Sequence, residues 1–244
     1  MYAGFVRDII PAYIPFRMFW VYFTAIAMMA ACVSFVTGIL SALAARLLGC
    51  MMVIFLLLIH TSILSGDPHA INWTRFFQDL SITGAAFILG SVGWRRGLGR
   101  PDGLDPGQQA ASGSSGSEGR RGSQWLALAG RYLYAIPLIF LGAQHFWRVA
   151  FVTAKIPDYL PLKTVWDYLV GAFIILAALA IVLRQKARQP AMVLGTVLLL
   201  LGLLYHIPVL IANPYVATAW TAAMLDAMIA AGALMLASSQ QAPG

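Results

Sequence analysis

The sequence predicts an all-α, polytopic membrane protein, and two observations support this fold class. Of the 244 residues, 60% are hydrophobic and only 10% are charged, whereas soluble domains carry about 25% charged residues. The chain also contains apolar runs of roughly 20 residues, the length that a helix needs to cross a hydrocarbon core about 30 Å thick. The net charge of +7 does not indicate nucleic-acid binding, because the basic residues lie in loops between the apolar runs.

Seven runs are long enough to be predicted as membrane-spanning helices. They cover residues 18–39, 43–64, 76–94, 125–147, 165–183, 190–212 and 218–237. Residues 96–124 are rich in Gly, Ser, Pro and Arg, a composition typical of a flexible linker. The predicted organisation is a first unit with three spans at residues 1–95, the linker at 96–124, and a second unit with four spans at 125–244.

An internal repeat relates the two units. The segment Ile-Pro-Ala-Tyr-Ile-Pro, which begins at Ile10, recurs as Ile-Pro-Asp-Tyr-Leu-Pro from Ile156, a shift of 156 − 10 = 146 positions. The same shift pairs His60 with His206, and after one extra residue a shift of 147 pairs Trp73 with Trp220 and Asp79 with Asp226. Matches of Pro, His, Trp and Asp in one frame do not arise easily from apolar low-complexity sequence, so we predict a tandem duplication.

The second unit has one span more than the first. Its opening span, 125–147, carries His145, whose equivalent in the first unit would precede Met1. We therefore expect the first unit to lack its first helix. Two explanations stay open: the true start lies upstream and adds an eighth helix, or the chain is a genuine seven-span variant.

The distribution of basic residues predicts the orientation. Ten of the 16 Lys and Arg residues fall on the side of the linker and the C-terminus, and six fall on the other. The positive-inside rule places the richer side in the cytoplasm. Because a full unit has an even number of helices, both units point the same way, as in a parallel repeat. We expect a multi-pass protein of a bacterial inner membrane.

The second unit resembles the DoxX family of four-helix membrane proteins over most of residues 125–237. The resemblance rests on Arg131 through Gly142, His145, Ile156-Pro-x-Tyr-Leu-Pro, Trp166-x-Tyr168 and Gly171. The first unit is similar to the same pattern from residue 5 to about 90. The resemblance implies four membrane helices per unit and a partnership with redox-enzyme subunits, because the family is named for a membrane subunit linked to quinol oxidation and to thiosulfate:quinone oxidoreduction. It implies no catalytic residue.

Several polar and aromatic residues are candidates for a binding site. Ionisable residues inside spans are costly in hydrocarbon and are therefore functional candidates. In the predicted orientation the candidates fall toward the non-cytoplasmic face: His60, Asp79, His145, His206, Asp226, Trp73, Trp220, Tyr13 and Tyr159. A shallow pocket with aromatic walls and a few polar groups is typical of a site that orients a quinone or another amphipathic ligand.

The histidines have two readings. His60 and His206 could take protons from a quinol or serve as haem ligands, since imidazole titrates near neutrality. They could equally form structural hydrogen bonds within the bundle. The chain has no His or Cys spacing typical of a metal site.

The spacing of residues along single helices predicts the partners of the carboxylates. Asp79 lies four residues after Arg75, and Asp167 four after Lys163, which is the spacing of a helical ion pair. Asp226 has no such neighbour and is expected to stay protonated or to find a distant donor such as His206 or Trp220.

The expected function is that of an accessory membrane subunit that binds a hydrophobic redox partner such as quinone at its outer face, without independent catalytic activity. Two alternatives stay open: a transporter of small molecules or lipids, and a structural or assembly factor of the cell envelope. The expected surroundings are the lipid bilayer, with redox-enzyme subunits as partners and no nucleic acid.

Overall fold

The computed structural model describes residues 11, 13–66, 70–97, 106–154, 156, 161–183 and 187–240. Over these residues the chain is helical and contains no strand. The elements in chain order are α1 (Arg17–Thr37), α2 (Ser41–Phe55), a π-helical turn (Leu56–His60), α3 (Thr61–Gly66), α4 (Ala70–Gly97), α5 (Pro106–Trp147), α6 (Val149–Thr153), α7 (Lys163–Leu183), α8 (Arg188–Ala212) and α9 (Ala217–Ser239). Helix α2, the π-helical turn and α3 follow one another without a break and form one helical segment.

Six segments of the described residues are long and apolar enough to cross a membrane. They are Arg17–Thr37, Ser41–Gly66, Arg121–Trp147, Lys163–Leu183, Arg188–Ala212 and Ala217–Ser239. These segments support a helical multi-pass membrane protein. The number is six, however, and not the seven that the sequence predicted.

The difference lies in α4, which contains the predicted span 76–94. This helix carries Arg75, Gln78 and Asp79 in its first third, so its described part is less apolar than the other six segments. It packs against α2, α5 and α9, and its middle is buried. In this buried middle a polar side chain has a protein partner: the Ser81 hydroxyl donates to the Tyr134 carbonyl oxygen at 3.2 Å.

The segment predicted as a flexible linker, 96–124, is partly helical. Helix α4 extends to Gly97, and α5 begins at Pro106. Residues 98–105 lie outside the described part of the chain. Once the apolar part of α5 has formed, each residue added to its N-terminus gains a hydrogen bond without a new nucleation step, which explains how a Gly/Ser-rich sequence continues a helix.

Helices α4 and α5 touch through their backbones. A Cβ atom built on Gly84 would lie 2.6 Å from the Gly130 carbonyl oxygen, and one built on Gly130 would lie 2.8 Å from the Gly84 carbonyl oxygen. Only glycine at both positions permits this approach, which is how small residues allow membrane helices to associate. The contact fixes α4, from the first predicted unit, against α5, from the second.

Two arginines tie neighbouring helices together at one end of the bundle. On α2, Arg46 donates to the Gly90 carbonyl oxygen of α4 through Nε at 3.0 Å and Nη2 at 2.9 Å. On α5, the buried Arg131 donates through Nε to the Ile181 carbonyl oxygen of α7 at 2.7 Å, and through Nη2 to the same oxygen. The last carbonyls of α7 lack partners within their helix, so this guanidinium satisfies groups that would otherwise be costly in a membrane.

Candidate functional site

Three histidine–aspartate pairs lie at the opposite end of the bundle, which we call the histidine end. Each pair joins two consecutive antiparallel segments: His60 Nε2 to Asp79 Oδ2 at 3.1 Å, His145 Nδ1 to Asp167 Oδ1 at 2.5 Å, and His206 Nε2 to Asp226 Oδ2 at 2.9 Å. In a helical hairpin, residues equally far from the turn lie at the same height. The pairs are 79 − 60 = 19, 167 − 145 = 22 and 226 − 206 = 20 residues apart, which places each acid beside its histidine.

These contacts correct the pairing predicted from helical spacing. Asp79 pairs with His60 of the preceding segment and not with Arg75. Asp167, predicted to form an interfacial pair with Lys163, is only 1% exposed and contacts His145. Both predictions failed for the same reason: the spacing of four residues describes neighbours on one helix, whereas the actual partner of each acid lies on the preceding helical segment.

A cavity of about 480 Å³ lies at the histidine end. Side chains from α4, α5, α7, α8 and α9 line it, together with residues of the connection that follows α5. The volume falls in the range of small-molecule sites, roughly 300–1,000 Å³. The helices of both predicted units therefore contribute to one cavity.

Most of the cavity wall is apolar. Six aliphatic side chains from three helices form its deeper part: Leu138, Leu141, Val170, Ile174, Leu198 and Leu201. The indole of Trp166 and the phenol of Tyr205 add aromatic surface. An apolar ring or chain that enters the cavity would bury its surface against these groups, at about 25 cal/mol per Å² of apolar area.

A polar network occupies one part of the wall. The Arg148 guanidinium donates through Nη1 to the Thr74 hydroxyl oxygen at 3.0 Å, and this hydroxyl donates to Gln144 Oε1 at 2.9 Å. His145 and Asp167, one residue along each helix from Gln144 and Trp166, line the same cavity. The wall thus offers a cation, a carboxylate, an imidazole and an amide, which are the groups that orient the polar head of an amphipathic ligand.

The ionisable residues that were predicted as site candidates fall into two groups at the histidine end. His145 and Asp226 line the cavity, and His206 holds Asp226 from the adjacent helix. His60 and Asp79 form their pair away from the cavity lining.

The four aromatic candidates do not line the cavity where the structure describes them. The Trp220 indole nitrogen donates to the Pro214 carbonyl oxygen at 2.9 Å, and the Tyr13 hydroxyl donates to the Leu58 carbonyl oxygen at 2.9 Å. Trp73 packs on neighbouring aromatic rings of α4. Tyr159 lies outside the described residues.

The cavity also contains residues that sequence reasoning did not select, notably Thr74, Gln144, Arg148 and Asp167. One available signal would have identified Asp167. All three pairs place a histidine near the end of one apolar run and an aspartate near the start of the next, so His145 predicts an acid about 20 residues downstream. Thr74 and Gln144 carry no comparable signal.

The grouped acids and histidines do not form a metal site in the described part of the chain: no three His, Cys, Asp or Glu side chains there are placed to hold one ion. The pairs are instead suited to hydrogen bonding and proton sharing. No family model matches the chain, and neither a curated protein nor a solved structure is significantly similar to it.

Proposed function

We propose that this chain is an accessory membrane subunit that binds an amphipathic, quinone-like ligand at the histidine end, without catalysing a reaction by itself. The observation that carries the proposal is the cavity: about 480 Å³ in volume, largely aliphatic, with Arg148, His145 and Asp167 on one wall. A quinone head needs a flat apolar slot and hydrogen-bonding groups for two opposed oxygens. Its apolar tail would extend along the helices.

We further propose that the chain consists of two parallel, DoxX-like units. In support, α1 and α7 begin and end 146 residues apart (163 − 17 and 183 − 37). The residues that precede them, Phe16 and Leu162, share a left-handed backbone with φ of 53° and 55°. In the proposed duplication, the His60–Asp79 and His206–Asp226 pairs are equivalent, and the His145–Asp167 pair belongs to the second unit alone.

The proposed location is a bacterial inner membrane, with the histidine end outside and the opposite end, which carries Arg46 and Arg131, in the cytoplasm. Single cysteines at Ser114 and Ser238, introduced after replacement of Cys32 and Cys50 by alanine, test the orientation. Both should react with a membrane-impermeant maleimide only after the cytoplasmic face is opened. Labelling of the two positions from opposite sides would refute the parallel arrangement.

Ligand binding is tested with the purified protein in lipid nanodiscs. Trp166 lines the cavity, and quinones quench tryptophan fluorescence, so titration with a decyl-benzoquinone should give saturable quenching. Trp166→Phe should remove the larger part of that signal. Trp220→Phe, which changes an indole away from the cavity lining, should retain it.

A second pair of variants separates binding in the cavity from dissolution of quinone in the lipid. Apart from the backbone of its own helix and its chain neighbours, a Cβ atom built on Gly202 meets one atom of the described residues within 4 Å, the His206 Cδ2 at 4.0 Å. A larger side chain therefore fits there and fills the cavity that Gly202 lines. Gly202→Leu should abolish saturable quenching, whereas Gly202→Ala should keep most of it. Equal, non-saturable quenching in all variants would refute the proposed function.

A further inference from the structure

The Asp167 carboxylate has one oxygen in use and one without a partner. Its side chain is 0% exposed, and Oδ1 lies 2.5 Å from His145 Nδ1. Oδ2 has no hydrogen-bond partner among the described residues. The residue lines the cavity. A buried carboxylate oxygen without a donor is costly, because it has lost water and gained nothing in exchange.

We infer that a bound ligand supplies the missing donor, so that the cavity binds the reduced, hydroxyl-bearing form of its ligand more tightly than the oxidised, carbonyl-bearing form. This inference rests on the function proposed above and adds a preference between the two redox forms. It concerns binding alone, since no electron acceptor or donor is required for either form to occupy the cavity.

The preference follows from the hydrogen-bonding capacities of the groups. An ionised carboxylate only accepts hydrogen bonds. In the tautomer with its proton on Nδ1, His145 donates to Oδ1 and holds the carboxylate in place, which leaves Oδ2 as the acceptor without a donor beside the cavity. A quinone carbonyl is also only an acceptor, so it would repel Oδ2. A hydroquinone hydroxyl donates, and a hydrogen bond to a charged acceptor is roughly twice as strong as one between neutral groups.

Two other polar groups of the wall, Arg148 and Thr74, do not produce the same preference. The Arg148 guanidinium is a donor, and both a carbonyl oxygen and a hydroxyl oxygen accept its hydrogen bond. The Thr74 hydroxyl already donates to Gln144. Asp226 also lines the cavity, but its side chain is 47% exposed and its Oδ2 is paired with His206 Nε2. We therefore assign the choice between the redox forms to the fully buried Asp167, with His145 as its positioning residue.

The test compares two redox forms of one ligand on the full chain in nanodiscs under anaerobic conditions. We expect decyl-hydroquinone to bind at least about tenfold more tightly than decyl-benzoquinone, a difference that raises the midpoint potential of the bound two-electron couple by about 30 mV. Asp167→Asn replaces the acceptor oxygen by an amide that can also donate, so the preference should fall to within about twofold or invert. Asp79→Asn alters a pair outside the cavity lining and should keep the preference.

The dimethyl ether of decyl-hydroquinone provides a control that does not depend on folding of the variant. It retains the aromatic ring but has no donor, and it should bind no more tightly than the quinone. Equal binding of hydroquinone and quinone to the unmodified chain overturns the inference and leaves the proposed function in place. A preference that survives Asp167→Asn in folded protein, or that the dimethyl ether shares with the hydroquinone, also overturns it. Saturable binding of neither form refutes the proposed function and this inference with it.

Discussion

Replacing Gly84 by alanine tests the backbone contact between α4 and α5. The added Cβ atom would lie 2.3 Å from the Tyr134 backbone nitrogen, 2.6 Å from the Gly130 carbonyl oxygen and 2.7 Å from the Leu133 carbonyl carbon. Real Cβ atoms essentially never approach other atoms to under 3.0 Å. All three neighbours are main-chain atoms, which cannot rotate away as a side chain can. The helices must therefore separate.

The expected loss of stability combines three effects. Overpacking costs about 1–3 kcal/mol, and separation of the helices weakens the hydrogen bond from Ser81 to the Tyr134 carbonyl, which contributes about 0.5–1.5 kcal/mol. Within a helix, alanine is more stabilising than glycine by about 0.5–1 kcal/mol, which offsets part of this loss. Gly84→Ala should therefore lower the free energy of unfolding by about 0.5–4 kcal/mol.

The assay is reversible unfolding by sodium dodecyl sulfate from mild detergent micelles, followed by tryptophan fluorescence, which reports tertiary packing where helical content changes little. Gly122→Ala is the matched control, because Gly122 lies on α5 and, apart from its own helix backbone and chain neighbours, no described residue has an atom within 4 Å of its built Cβ atom. It should leave stability unchanged or raise it by up to about 1 kcal/mol. If Gly84→Ala unfolds at the same detergent fraction as Gly122→Ala, the two backbones do not meet at this position.

Three further substitutions test the contacts that hold the bundle and its cavity. Arg131→Met removes charge-assisted hydrogen bonds to the last turn of α7 and should lower the free energy of unfolding by about 1.5–3 kcal/mol per bond lost, measured in the same detergent titration; an unchanged midpoint would contradict the contact. Tyr134→Phe deletes a buried hydroxyl that donates to an α9 carbonyl oxygen at 2.6 Å and should cost about 1 kcal/mol, with ligand affinity retained. Thr74→Val breaks the link between Arg148 and Gln144 and should weaken quinone binding, measured by fluorescence quenching, about tenfold, equivalent to 1.4 kcal/mol. Thr61→Val, a substitution away from the cavity lining, should leave the affinity unchanged.

The sequence predicted helices well because membrane spans depend on a local property. Apolar runs of sufficient length identify six of the described segments, and their ends agree with the runs to within a few residues. The span 76–94 differed because Gln78 and Asp79 make the start of α4 polar, while the middle of this helix is buried between α2, α5 and α9. Enclosure depends on the packing of distant segments, which the hydropathy of one segment does not report.

The cavity was only partly predictable for a related reason. The cost of charge in hydrocarbon singled out His145 and Asp226, and both line the cavity. The contact between His145 and Asp167 was not predicted, because the spacing of four residues suggested Lys163 as the partner of Asp167. The link from Thr74 to Gln144 joins residues 70 positions apart, and neither side chain is unusual in its own segment.

The positions of the arginine and histidine contacts constrain how the molecule can move. The hairpin of residues 41–97 is fastened by Arg46 to Gly90 at one end and by His60 to Asp79 at the other, and the hairpin of α5 and α7 is fastened in the same manner by Arg131 and His145. A slide of one helix past its partner by one turn, about 5.4 Å, would break both fastenings at once and leave charged groups stranded in hydrocarbon. We therefore expect each hairpin to keep its register and to move as one unit, so that the cavity opens by displacement of one hairpin relative to another.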